Sequence, residues 1–244
     1  MSPLAAIFRT LTFRGTAKAL GELENAHLAA GLACTWVVGM GRWWDDPKAS
    51  LLQHLGLGSV AYAFVLAALL WLVVLPLAPR QLSYRTSLTF VVLTSPPAIL
   101  YAIPVERWMD MRSAGQVNLW FLALVATWRV ALLLRFFASV PGVGAVKGSI
   151  AALLPLAAIV TALTALNLHR VVFSLMGGIA EADRTAHDAA YGVLVLLTLL
   201  ASMAFPVLLV AYAISIAHSW GKRRAALSDT ASSRASDPGS GSAP

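Results

Sequence analysis

Long apolar runs separated by short polar loops dominate the chain. Five of them are Leu57–Pro76, Leu88–Pro104, Asn118–Phe137, Ile150–Leu168 and Ala190–Ala217. A spanning helix needs roughly 20 mostly apolar residues, with about 17 as the lower limit. All five reach that length. Four hold no charged side chain, and the third holds Arg129 and Arg135. Backbone donors and acceptors inside hydrocarbon must be satisfied within the chain, so each run is predicted as a helix. The strict alternation of a membrane β-barrel is absent. The expected fold is all-α: a polytopic transmembrane helical bundle of five firm spans, plus one possible short or re-entrant span.

That sixth segment is Ala26–Gly41, AHLAAGLACTWVVGMG. As a helix it measures roughly 24 Å, short for a crossing and long for a loop. It reads as a tilted or thinned span, a re-entrant hairpin, or a half-buried helix beneath the bundle. Ahead of it, residues 2–20 read as a helix lying on the membrane surface, a targeting segment being the alternative. Leu4, Ile7, Phe8 and Leu11 recur at helical spacing and share one face. Arg9, Arg14 and Lys18 supply charge for anionic headgroups. After the last run the chain opens with Lys222, Arg223 and Arg224 and becomes rich in Ser, Gly, Pro and Ala. Such a stretch cannot bury a core and reads as disordered. The organisation is therefore an amphipathic surface segment (1–25), a short apolar segment with an interfacial turn (26–56), the bundle (57–220) and a basic-start tail (221–244).

Composition sharpens this picture. Of 244 residues, 59% are hydrophobic and 12% charged, and the mean hydropathy is +0.75. Soluble domains average about 25% charged residues, so a soluble enzyme is not expected. The single cysteine, Cys34, excludes an internal disulfide framework and a multi-cysteine zinc site. The net charge of +7 is scattered as span anchors, with no patch on a soluble domain, so nucleic acid is not an expected partner. Anionic membrane lipids are, together with another membrane protein or a second copy of the chain.

Basic residues mark the cytoplasmic side of short loops. Loop 77–87, loop 138–149 and the carboxyl tail carry Arg80, Arg85, Lys147 and Lys222–Arg224 without a nearby acid. If 26–41 crosses, the amino-terminal helix joins them. Then 11 of the 18 Lys and Arg lie on that side and six on the other, with Arg129 inside a span. A bacterial cytoplasmic membrane with a cytoplasmic carboxyl tail is the expected location.

Candidate chemistry is sparse. Arg129 lies roughly 16 Å into its run, near mid-depth. A charge there costs at least about 2.5–3.5 kcal/mol unless it faces the bundle or water. It is a tether that bonds a neighbouring helix, a site for an anionic ligand or a lipid phosphate, or a side chain that snorkels in a thinned bilayer. The second run offers a partner level. Pro96 and Pro97 would free the carbonyls of Val92 and Leu93 in a continuous helix, and Thr94 and Ser95 add hydroxyls. The expected arrangement has Arg129 capping this break. Glu106, Arg107 and Asp110 form an interfacial ion pair or gate. Asp183, His187 and His169 are low-ranked metal candidates, because their spacing is not that of a zinc motif. No metal, cofactor or catalytic pair is expected, and no phosphate-binding or dinucleotide fingerprint occurs.

The five closely spaced spans behind a surface-bound amino terminus resemble the Yip1-type family of multispan membrane proteins. That resemblance is one of layout. It implies a non-enzymatic scaffold in membrane organisation or trafficking. The stretches SPPAILYAIPVER and VATWRVALL are also similar to those of bacterial multispan proteins, which implies no activity. The expected function is a non-catalytic scaffold or accessory subunit that binds lipid or another membrane protein. A small transporter or channel, with a polar path at Arg129 and the Pro96–Pro97 break, is the alternative, and an intramembrane enzyme comes third.

Overall fold

The computed structural model describes residues 1–41, 51, 55–166 and 188–235. Helices α1 (Pro3–Leu11), α2 (Ala17–Gly21) and α3 (Asn25–Met40) open the chain. They are followed by α4 (Leu57–Val74), α5 (Tyr84–Leu93), and two 3-10 segments, Pro96–Ala102 and Val105–Arg107. Helices α6 (Met111–Ala138), α7 (Gly144–Ala165) and α8 (Asp188–Ala235) complete it. No strand occurs among the described residues.

Among the described residues, four helices are long and apolar enough to cross a membrane: Leu57–Val74, Ser113–Ala138, Gly144–Ala165 and Leu196–Ala225. The expectation of five is therefore corrected at the second run, Leu88–Pro104. There the α-helix covers only 10 residues and stops at Leu93. The reason is Pro96–Pro97. The residue before a proline is pushed out of the α region, and proline within a helix loses a hydrogen bond and clashes with the preceding turn. Proline is tolerated in a first turn, so the chain restarts as a 3-10 segment with both prolines at its head.

This interrupted segment is the centre of the molecule. Every residue from Thr86 to Ser95 is buried, including Thr86, Ser87 and Thr89. A helix apolar or small on all faces belongs inside a bundle, not against lipid. Helices α1, α2, α3 and α4 pack around α5, and Phe90 stacks on Phe136 of α6 at 4.1 Å between ring centroids. Helix α7 joins α6 to α8, and α8 lies outermost, with 6% of its spanning window buried inside the molecule.

Helix α3 settles the sixth segment's path. It has 16 residues and runs beside α5. At its start, Arg85 donates to the Leu23 carbonyl at 2.6 Å and to Asn25 Oδ1 at 3.0 Å. At its other end, Gly41 lies against Ala102. Asn25–Met40 thus traverses the depth of the bundle instead of turning back.

The amino terminus departs from a single surface helix. Phe13, at φ 63°, breaks it between α1 and α2. Ala6, Ile7 and Thr10 are buried against the bundle, while Leu4 and Phe8 are exposed, so the predicted face is split. The Trp128 indole donates to the Leu11 carbonyl at 3.0 Å, and the Ala17 amide donates to Ser139 Oγ at 2.8 Å. At the far end, α8 continues helically to Ala235, into the stretch read as tail.

Candidate functional site

The break after α5 is bonded by its own hydroxyls, and one of the two carbonyls that the prolines free, Val92's, is taken by Ser95. Thr94 Oγ1 donates to the Phe90 carbonyl at 2.9 Å. Ser95 Oγ donates to the Val92 carbonyl at 2.8 Å and accepts from Thr35 Oγ1 of α3, also at 2.8 Å. Short hydroxyl side chains next to prolines commonly re-satisfy freed backbone in membrane helices. They do here what was expected of Arg129.

Arg129 is nevertheless at this level. It lines a cavity of about 230 Å³ together with Thr35, Ser59, Tyr62, Val91 and Ser95. Four segments meet there: α3, the first turns of α4, the α5 break and the middle of α6. The guanidinium is half-buried and forms no hydrogen bond or ion pair with another described residue. Of the residues at the break, Ser95 lines this cavity and Thr94, Pro96 and Pro97 are not among its lining residues; Arg129 lines it without bonding the break. Ser59 and Tyr62 escaped the reading of the sequence. The available signal was a lone serine beside Gly58 at the start of an otherwise apolar run.

The outer candidates lie around the start of α6. Asp110 Oδ2 accepts from the Ser113 amide at 3.1 Å and so caps the start of α6. Arg107 is exposed in the short 3-10 segment before it. The Glu106 side chain lies outside the described residues, as do His169, Asp183 and His187 and the turn at 42–47. Among the described residues no group of His, Cys, Asp and Glu is placed to hold a metal ion.

The end of the bundle opposite the 3-10 segments is basic. It brings together α1, α2, the turn from α4 to α5, the turn from α6 to α7, and the stretch of α8 around Trp220. Arg223 donates to the Pro76 and Leu77 carbonyls, Trp220 Nε1 donates to the Pro76 carbonyl at 3.2 Å, and Lys147 Nζ donates to Ser219 Oγ at 2.8 Å. Arg9, Arg14, Lys18, Arg80, Arg135, Lys222 and Arg224 remain exposed there. A second cavity, of about 340 Å³, lies among Arg9, Thr10, Glu22, Glu24 and His27 at this end. His27 is 5% exposed, and its Nε2 meets the Met1 carbonyl at 2.9 Å.

No family model, curated protein or solved structure matches the chain. The comparisons therefore bear on neither the Yip1-type resemblance nor any activity.

Proposed function

We propose that this integral membrane protein is a non-catalytic component that seats its basic end on the anionic headgroups of one leaflet, as a scaffold or accessory subunit would. The carrying observation is the gathering of exposed cations from separate stretches of chain at a single end. Arg9, Arg14 and Lys18 come from the amino terminus, Arg80 from the turn between α4 and α5, Arg135 from the last turn of α6, and Lys222 and Arg224 from α8. Each cation near an anionic surface contributes about 1 kcal/mol. Exposed Leu4 and Phe8 lie on the same helix as Arg9, which suits the boundary between headgroups and acyl chains.

The test is thermal unfolding of the full chain in phosphatidylcholine nanodiscs with and without phosphatidylglycerol. Phosphatidylglycerol raises Tm at low salt, and the gain shrinks at high salt because exposed charges are screened. Replacing Arg9, Arg14 and Lys18 together by Gln removes a large part of it. A Tm indifferent to phosphatidylglycerol overturns the reading.

A further inference from the structure

We propose that the cavity at Arg129 is a binding site for a phosphate-class oxyanion, filled in the membrane by the phosphodiester of an anionic phospholipid. This is independent of the lipid surface at the basic end, which lies on a different part of the molecule.

The argument starts from an uncompensated cation. Arg129 sits about 13 Å along α6 from its end at Ala138, at 1.5 Å per residue. Charged residues at such depth pair with one another, with backbone carbonyls or with a ligand. No carboxylate is among the residues lining this cavity, and the Val92 carbonyl at the α5 break is taken by Ser95. The described residues thus bring a guanidinium to mid-depth and leave its donors unused.

The other groups around the cavity complement an anion. Thr35 and Ser95 spend their protons within the protein, in the chain from Thr35 to Ser95 to the Val92 carbonyl. The Ser59 and Tyr62 hydroxyls make no hydrogen bond with a described residue and are free to donate. Ser59 also lies in the first turn of α4, an 18-residue helix whose cap, Gly56, offers no side-chain acceptor. Orphan amides and the positive end of that helix add to the field of the guanidinium without being needed to create the site.

Shape selects the chemical class. A guanidinium fork takes two oxygens of an oxyanion side by side. A phosphate group has further oxygens for Ser59 and Tyr62, whereas a carboxylate is exhausted by the fork. The remaining wall, with Val38, Ala63 and Val91, is apolar. It suits the glycerol and acyl portion of a lipid better than the water shell of a free ion.

The experiment is native mass spectrometry of the full chain, delipidated in mild detergent at high salt and then titrated with phosphatidylglycerol. Unfolding in inorganic phosphate is measured in parallel. The wild type retains one phosphatidylglycerol through the salt wash. Arg129→Gln weakens retention at least tenfold, and Arg129→Lys restores part of it. Tyr62→Phe, at a residue 58% exposed, loses severalfold without disturbing the packing. Replacing Arg9, Arg14 and Lys18 leaves this salt-resistant lipid in place, which separates the site from the basic end. If inorganic phosphate raises Tm in the wild type but not in Arg129→Gln, while phosphatidylglycerol fails to discriminate them, the anion site stands and the lipid source falls. If neither probe distinguishes the two proteins, the proposal is overturned. Should Arg129→Gln fail to fold, unchanged retention in both Tyr62→Phe and Ser59→Ala overturns it equally.

Discussion

At the scale of single residues, tolerance depends on what a side chain would meet. At Gly148 an added Cβ would come within 2.8 Å of the Ala138 amide nitrogen and 2.9 Å of the Phe137 carbonyl carbon. Backbone cannot move aside without separating α6 from α7. At Gly31 the nearest atom is Val92 Cγ2, at 2.5 Å, and Val92 is fully buried. Overpacking of this kind costs about 1–3 kcal/mol. Gly148→Ala and Gly31→Ala are both expected to lower Tm in detergent, Gly148→Ala more. Gly115 in α6 meets nothing within 4 Å, so Gly115→Ala is expected to be neutral or to gain up to about 1 kcal/mol from helix propensity. Equal behaviour of Gly148 and Gly115 would sink this account. Ser95→Ala is expected to cost about 0.5–1.5 kcal/mol, because it removes the Ser95 Oγ bonds to the Val92 carbonyl and to Thr35, while the residue-95 amide still bonds Val92 and Thr35 keeps the Gly31 carbonyl. The mid-depth position of Arg129 and the proline break were legible, since both follow from counting along an apolar run. That hydroxyls, not the arginine, would seal the break was not. A short side chain bonding its own preceding turn leaves no periodicity to read.

At the scale of elements, hydropathy finds runs but not their neighbours. The α5 run and the α4 run look alike as strings of apolar residues, yet residues 86–95 are buried inside the protein and the α4 run is a candidate span. The difference is carried by Thr86, Ser87 and Thr89, small hydroxyl residues that let other helices close in on all sides of α5. Helix α3 was legible as a segment, and its path became clear only from the contacts at both its ends. The central position of α5 makes the Phe90–Phe136 stack a packing keystone, since both rings are buried. Phe90→Ala leaves a cavity there. Its cost is expected at about 3 kcal/mol, the low end for such truncations, because the unfolded reference in detergent or lipid also shelters the ring. Unfolding in a mild detergent titrated with a denaturing one checks this. A loss no larger than that of an exposed Leu72→Ala in α4 would mean that α5 is not the post the bundle is built on.

At the scale of the whole molecule, the distribution of charge between its two ends decides how it sits in a membrane. Short-loop lysines and arginines orient a multispan chain with their side toward the cytoplasm. The end carrying α1, α2 and the turns at Arg80 and Arg135 has many exposed cations. The opposite end has Arg107 close to Asp110. The surplus survives folding, because among the described residues only Arg85, Lys147 and Arg223 of the basic-end cations spend their donors on the protein. The expected orientation therefore puts Gln81 in the cytoplasm and Met109 outside, both on exposed positions. In a Cys34→Ala background, an impermeant maleimide applied to intact cells should label Met109→Cys and spare Gln81→Cys until the membrane is permeabilised. Labelling of Gln81→Cys alone in intact cells would invert the molecule. It would also move the basic end to a leaflet where the proposed anionic partner must be sought anew, while leaving the Arg129 cavity, which does not depend on orientation, untouched.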